Sequence, residues 1–175
     1  MKRLGSFIPL VALALIVIMS AALLLRGGGR PATITAGEVG RPAPTYALAR
    51  LGGGALLRDQ GTRGRAHVIN MFASWCVPCR AEHPQLMALQ ARGVEIVGVA
   101  YKDQPSDTNE FLQELGNPFR EVGLDPDGRF GLQLGVAGVP ETFVISADGR
   151  IVAVHRGPLT PQIVQQEILP ALGAR

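Results

Sequence analysis

The two cysteines of this 175-residue chain, Cys76 and Cys79, stand two residues apart and constrain the fold most strongly. The preceding run, residues 66–72, is mostly apolar with β-branched members, which predicts a buried strand. A helical pattern follows, so Cys76 is expected at a helix N-terminus, where free amides and the helix dipole favour a thiolate. We expect the pair at an exposed edge, with Cys76 attacking and the less exposed Cys79 resolving mixed disulfides.

Other uses of such a pair stay open at this point. A structural zinc requires four protein ligands, whereas the chain has no second cysteine pair and only three histidines. His83, four residues after Cys79, would complete a soft-metal site. Haem attachment requires histidine directly after the second cysteine, and Arg80 stands there. A purely structural disulfide would constrain the unfolded chain little, because its loop is so short.

The N-terminal residues predict export. Basic Lys2 and Arg3 precede an uncharged run over residues 7–25, which is just long enough to span a bilayer. We predict a transmembrane anchor over residues 1–30, with a cleaved signal peptide as the alternative, and with the amino terminus in the cytoplasm. A glycine- and proline-rich linker follows over residues 31–40. Residues 41–175 are expected to form one domain with a single core.

Further elements follow from hydrophobic period and turn residues. The strands at 66–72 and 94–101, joined by the helix from Cys76, should lie parallel as a βαβ unit. A hairpin over residues 46–58 should extend one edge of the fold. The remaining predicted elements are a helix at 105–115, a short strand at 119–122, a short helix around 130–134, strands at 142–146 and 150–155, and a closing helix at 161–172 capped by Thr160.

The stretch FASWCVPCRAEHP, residues 72–84, resembles the active site of thioredoxin-like proteins. Its strongest resemblance is to the cytochrome c biogenesis thiol–disulfide interchange proteins, the CcmG/DsbE family. This resemblance implies an α/β, thioredoxin-like fold, a central mixed sheet flanked by helices. It also places Trp75 and Pro78 in the active site. Pro84 matches the superfamily's helix-kinking proline and should bend the helix.

The second informative stretch is GVAGVPETF, residues 135–143. A proline before a strand is ordinarily a trans loop proline. By resemblance to the same family, however, Pro140 would be a cis-proline packed against the cysteines. Val139 would then offer its backbone groups to a substrate strand. Ala137 departs from the family, which commonly has tyrosine at this position.

Two acids are candidates for tuning the thiols, Glu82 and Glu141, because acids at matching positions border the family's active-site groove. The residues alone allow Glu82 to be an ordinary solvated helix charge. A carboxylate about 8 Å from a thiolate opposes it by about 2 kcal/mol at an effective dielectric near 20. The helix dipole supplies only about 0.3–1 kcal/mol in its favour. We therefore hypothesise that the acids offset the dipole, which makes the disulfide harder to reduce and suits a reductant.

The resemblance implies a single-pass inner-membrane protein with its catalytic domain on the periplasmic side. It would reduce disulfides in apocytochrome c or its haem-ligation chaperone, and a transmembrane thiol donor of the DsbD/CcdA type would reduce it again. No metal and no cofactor beyond the Cys76–Cys79 disulfide is expected. Scattered basic residues and a net charge of +3 disfavour nucleic-acid binding. The alternatives are a general extracytoplasmic reductase or oxidase, and a copper- or haem-handling protein that uses Cys76, Cys79 and His83.

Overall fold

The computed structural model describes residues 8–26, 37–62 and 64–173 of the chain. Contacts divide the chain into two units, and the boundary falls between residues 34 and 35. In the first unit, Ile8–Arg26 forms helix α1. Within the described residues, no helix combines the length and apolar character needed to cross a membrane. The predicted anchor stays a prediction, and residues 1–7 and 27–36 lie outside the described ranges.

The second unit is built on a seven-stranded mixed sheet. The strands are β1 (Ala47–Arg50), β2 (Leu57–Arg58), β3 (His67–Phe72), β4 (Ile96–Tyr101), β5 (Glu121–Asp125), β6 (Glu141–Ile145) and β7 (Ile151–Arg156). Their order in the sheet is β2-β1-β5-β4-β3-β6-β7. Strands β3 and β4 are parallel, as are β4 and β5, whereas β6 and β7 run antiparallel to their neighbours. This confirms the predicted βαβ unit and the thioredoxin-like mixed sheet.

Strand β3 lies at the centre of the core, and all six of its residues are buried. Successive side chains of a strand point to opposite faces of the sheet. Val68 and Phe72 accordingly join one hydrophobic cluster, while Ile69 and Met71 join a second one. The first cluster includes Cys76 and Cys79 together with residues of the helix that follows them. The cysteines therefore follow closely after a fully buried strand.

The helices of this unit are α2 (Val77–Ala91), α3 (Pro105–Leu115), α4 (Arg129–Leu134), α5 (Pro161–Ile163) and α6 (Leu169–Gly173). Helix α3 has the predicted bounds, and Pro84 lies inside α2. The predicted closing helix is confirmed, because helical residues run without a break over 161–173; a π-helical turn, Val164–Ile168, lies within it between α5 and α6. Thr160 caps it as predicted, accepting a hydrogen bond from the Ile163 amide at 3.3 Å.

The hairpin is confirmed with shorter strands than predicted. Strands β1 and β2 pair antiparallel at one edge of the sheet, and β1 also pairs with β5. Residues 37–40, the end of the predicted linker, make contacts with this unit. The Gly40 amide donates to the Ile151 carbonyl at 2.8 Å, so the folded unit begins before residue 41.

Candidate active site

The cysteines form a disulfide at the start of α2, with Cα atoms 5.3 Å apart. Cys76 is the N-cap of the helix, and its Sγ accepts a hydrogen bond from the Cys79 amide at 3.2 Å. Pro78 lies in the first turn, where a missing amide hydrogen leaves no helical bond broken. The predicted position at a helix N-terminus is confirmed, so amide groups and the helix dipole face the sulfur of Cys76.

The expectation that the pair is exposed is wrong. Cys76 is 3% exposed and Cys79 is 1% exposed, and both belong to the core cluster below the helix. Cys76 takes the extended N-cap conformation, and its side chain packs inward while its neighbours Trp75 and Val77 remain exposed. The order of exposure is as predicted, although the difference is small. The disulfide thus lies just beneath a surface that its flanking residues form.

The loop before β6 lies at the same end of the sheet as the cysteines. In the antiparallel pairing of β3 with β6, Glu141 is opposite Met71, next to the last residue of β3. The Val139–Pro140 peptide bond is cis, as the resemblance implied. Val139 packs against the cluster that contains both cysteines. The two stretches singled out from the sequence therefore meet in space.

Glu141 is buried, with 2% of its surface exposed, and its side chain binds backbone amides of the loop that precedes it. Its Oε1 accepts hydrogen bonds from the amides of Ala137 at 2.9 Å and Gly138 at 3.2 Å. The same oxygen lies 3.3 Å from Nε of Arg156. Burial raises the pKa of Glu141, while the two amides and the Arg156 guanidinium oppose the rise. The carboxyl group is thus held by the loop rather than presented to solvent.

Glu82 is fully buried, which rules out its interpretation as a solvated helix charge. Its Oε1 accepts from Nδ2 of Asn70 at 2.9 Å, and its Oε2 accepts from the Leu159 amide at 2.9 Å. Burial raises the pKa of Glu82 to about 7, against the effect of both hydrogen bonds. Near neutral pH a large fraction of Glu82 is therefore uncharged. The tuning hypothesis assumed a full charge here and needs this correction.

Sequence reasoning missed Asp103, which holds the loop before the cysteines. Its two carboxylate oxygens accept from the amide and hydroxyl of Ser74, each at 2.7 Å, and from the Thr108 hydroxyl at 2.9 Å. The next residue in the active-site loop, Trp75, donates its indole N–H to the Lys102 carbonyl at 3.3 Å. The available signal was an aspartate between a buried strand and a helix that begins with proline, which predicts a helix cap; the N-cap of α3 is instead Gln104.

Asn70 was also missed, because a single polar residue in a buried strand does not reveal its partner. Its Nδ2 donates to Oγ1 of Thr142 at 3.1 Å as well as to Glu82. These fully buried groups link β3, β6 and α2 beneath the cysteines. Among the described residues, Oδ1 of Asn70 is buried without a hydrogen-bond partner, so the network is only partly satisfied.

His83 does not face the cysteines as a ready ligand. Its Nε2 lies 3.0 Å from the Gly116 carbonyl, and its ring packs edge-on against Phe111. Burial lowers the pKa of His83, which favours the neutral ring. Within the ranges that the structure describes, no group of three histidine, cysteine or acidic residues is placed to hold a metal ion.

Known proteins match almost the whole chain. A family model described as Redoxin matches residues 38–168. The thiol:disulfide interchange protein HelX of Rhodobacter capsulatus is 41% identical over 167 residues, which cover 95% of this chain and 94% of that protein. The thiol:disulfide interchange protein DsbE of Escherichia coli K12 is 38% identical over 177 residues, which cover 97% and 94% respectively.

Solved structures of similar proteins share the fold of this chain. A putative thiol:disulfide interchange protein DsbE from Chlorobium tepidum has a TM-score of 0.66 and 31% sequence identity, covering 78% of this chain and 99% of that one. The chain therefore belongs to the redoxin family and, within it, to the thioredoxin-like thiol:disulfide interchange proteins of the DsbE type.

Proposed function

We propose that this protein is an exported dithiol reductase that reduces disulfides in partner proteins during cytochrome c maturation. The observation that carries the proposal is the Cys76–Cys79 pair at the N-terminus of α2, at the same sheet end as the Val139–Pro140 loop. Reactive cysteines depend on such a helix start, because the amides and dipole there stabilise the thiolate.

The exchange proceeds in two balanced steps. The Cys76 thiolate attacks one sulfur of the client disulfide, that S–S bond breaks, and the client's other sulfur leaves as a thiolate that takes a proton. The Cys79 thiolate then attacks the Cys76 sulfur, releasing the client's second thiol and forming the Cys76–Cys79 disulfide. The client gains two electrons and two protons, and the protein loses them. The protein needs no cofactor for this reaction.

The surface around the pair fits an extended client. Trp75 is 59% exposed and Val77 is more exposed still, so apolar side chains flank the disulfide where a client approaches. Val139, in the loop before β6, packs against the cluster that contains both cysteines, and its backbone would pair with a client strand. The resemblance of residues 72–84 and 135–143 to the cytochrome c biogenesis family favours apocytochrome c, or its haem-ligation chaperone, as the client.

The location belongs to the same proposal. The uncharged run over residues 7–25 and the basic residues before it support an inner-membrane anchor with the catalytic domain in the periplasm. An exported reductase is surrounded by an oxidising compartment. A transmembrane thiol donor of the DsbD/CcdA type would therefore return two electrons to the Cys76–Cys79 disulfide after each cycle. Carbonate extraction of membranes tests the anchor, because an anchored protein stays in the pellet.

The client is identified by trapping. In a Cys79→Ser variant, the second step is blocked and the client stays bound to Cys76 through a mixed disulfide. We expect mass spectrometry of adducts from the native host to recover apocytochrome c or its chaperone, and a matched Cys76→Ser variant to recover none. Adducts with many unrelated exported proteins would instead indicate a general reductase. Tight copper or haem binding by the reduced protein, without adducts, would indicate the binding-protein alternative.

A further inference from the structure

Arg156, the last residue of β7, joins two carboxylates from distant parts of the chain. Its Nη2 donates to both oxygens of Glu38, at 2.9 and 2.7 Å. Its Nε lies 3.3 Å from Oε1 of Glu141, the residue directly opposite it in the sheet. All three side chains are largely buried, with Glu141 the most enclosed.

The bridge of Arg156 to Glu38 and Glu141 contacts the loop of residues 135–141 at both of its ends. On one side, Glu141 fixes the amides of Ala137 and Gly138 through the oxygen that Arg156 contacts. On the other side, Nη2 of Arg156 lies 3.3 Å from the Gly135 carbonyl. Glu38 covers Gly135 so closely that an added Cβ there would collide with the carboxylate. Each end of the loop is therefore held by a residue that Arg156 binds.

An arginine suits this place better than a lysine. The planar guanidinium directs its donors along separate lines, so one side chain serves two carboxylates at once. A carboxylate buried as deeply as Glu141 is strongly destabilised when its charged partner is removed. Without Arg156, the Glu141 carboxylate would be protonated more easily. Its hydrogen bonds from the Ala137 and Gly138 amides would then be weaker. The arginine thereby controls how firmly the loop is held.

We propose that Arg156 is a positioning residue for client binding, which fixes the loop of residues 135–141 by bridging Glu38 and Glu141. The inference rests on the proposed function, in which this loop pairs with the client strand. Arg156 carries no thiol and takes no part in the exchange of electrons. Its loss therefore weakens the docking of an extended client, while the chemistry of the bound complex stays nearly the same.

The test separates KM from kcat with a defined substrate. The substrate is an oxidised peptide containing Cys-Xaa-Xaa-Cys-His, and dithiothreitol recycles the full-length protein. We expect Arg156→Gln to raise KM by about tenfold, which corresponds to about 1.4 kcal/mol of client-binding free energy, with kcat changed by less than about twofold. Arg156→Lys should recover part of the loss. Arg120→Gln is the matched control, because Arg120 pairs with Glu95 where β4 begins, at the opposite end of the sheet.

Glu38→Gln keeps the test decisive if Arg156→Gln folds poorly. This variant leaves the Arg156–Glu141 contact in place and removes only the charge on the other side, so a smaller rise in KM is expected. An unchanged KM in both Arg156→Gln and Glu38→Gln, with wild-type protein reducing the peptide, would overturn the inference alone. Failure of wild-type protein to reduce the peptide would overturn the proposed function and this inference with it.

Discussion

Glu82 lies in an environment unlike that of an ordinary, solvent-exposed helix glutamate. It is fully buried, and its two oxygens accept hydrogen bonds from Asn70 and the Leu159 amide. Burial raises its pKa from the ordinary 4.5 to about 7. Between pH 4.5 and about 7, Glu82 is therefore protonated in the folded protein but ionised in the unfolded chain. The free energy of unfolding depends on pH through this group.

Glu82→Gln tests this dependence. Because the folded state binds the extra proton between pH 4.5 and about 7, the wild-type free energy of unfolding should fall as pH rises through that interval. The fall attributable to Glu82 is about 3 kcal/mol, from 1.36 kcal/mol for each pH unit of displacement. The variant has no such proton, so we expect a flatter pH profile in urea denaturation of the oxidised protein.

An exposed glutamate on α3, Glu110, supplies the matched control. Glu110→Gln should leave the slope of the pH profile at its wild-type value. A Glu82→Gln profile as steep as that of wild type would show that Glu82 is charged in the folded state at neutral pH. The original tuning hypothesis, with two full carboxylate charges near the thiols, would then regain its support.

At the scale of elements, β4 comes close to the ring that supports the active-site strand. Phe119 stacks on Phe72, the last residue of β3, with ring centroids 4.7 Å apart. The Phe119 ring also covers Gly98 in β4, so that a Cβ on Gly98 would lie only 2.7 Å from ring carbons. Gly98 is therefore needed for close approach, and through Phe119 it supports the strand that leads to the cysteines.

Gly98→Ala should force the Phe119 ring away from Phe72. We expect the free energy of unfolding to fall by about 1–3 kcal/mol, the usual consequence of overpacking a close-packed core. Gly61→Ala is the control, since an added Cβ at Gly61 meets no atom within 4 Å, and its effect should be within about 0.5 kcal/mol. Equal stability of the two variants would contradict this account of the core.

At the scale of the whole molecule, the elements and their pairing were largely predictable. Hydrophobic period identified the strands around β3 and β4, and glycine-rich turns identified the hairpin of β1 and β2. Residues 72–84 and 135–143 located the site, because the resemblance supplied the pairing between two distant stretches. The π-helical turn inside the closing helix, Val164–Ile168, was not predictable, since its sequence continues the helical pattern.

The burial of the cysteines and the long-range polar contacts could not be predicted from the sequence. Cys76 packs inward from an extended N-cap conformation, into a cluster against which Val139, far away in the chain, also packs. The partners of Glu82, Asp103 and Arg156 come from elements that only the tertiary fold brings together. Local patterns report which residues are apolar, but they do not report which buried polar groups satisfy one another.

The central claim is that Cys76 and Cys79 transfer two electrons to a client disulfide in a fixed order. Its most direct test is time-resolved intact mass spectrometry of the reduced protein mixed with an oxidised Cys-Xaa-Xaa-Cys-His peptide. The account predicts that wild-type protein converts the peptide to its dithiol, that Cys79→Ser stops as an adduct on Cys76, and that Cys76→Ser does not react. Reduction of the peptide by Cys76→Ser at the wild-type rate, or an adduct on Cys79 in wild-type protein, would contradict it.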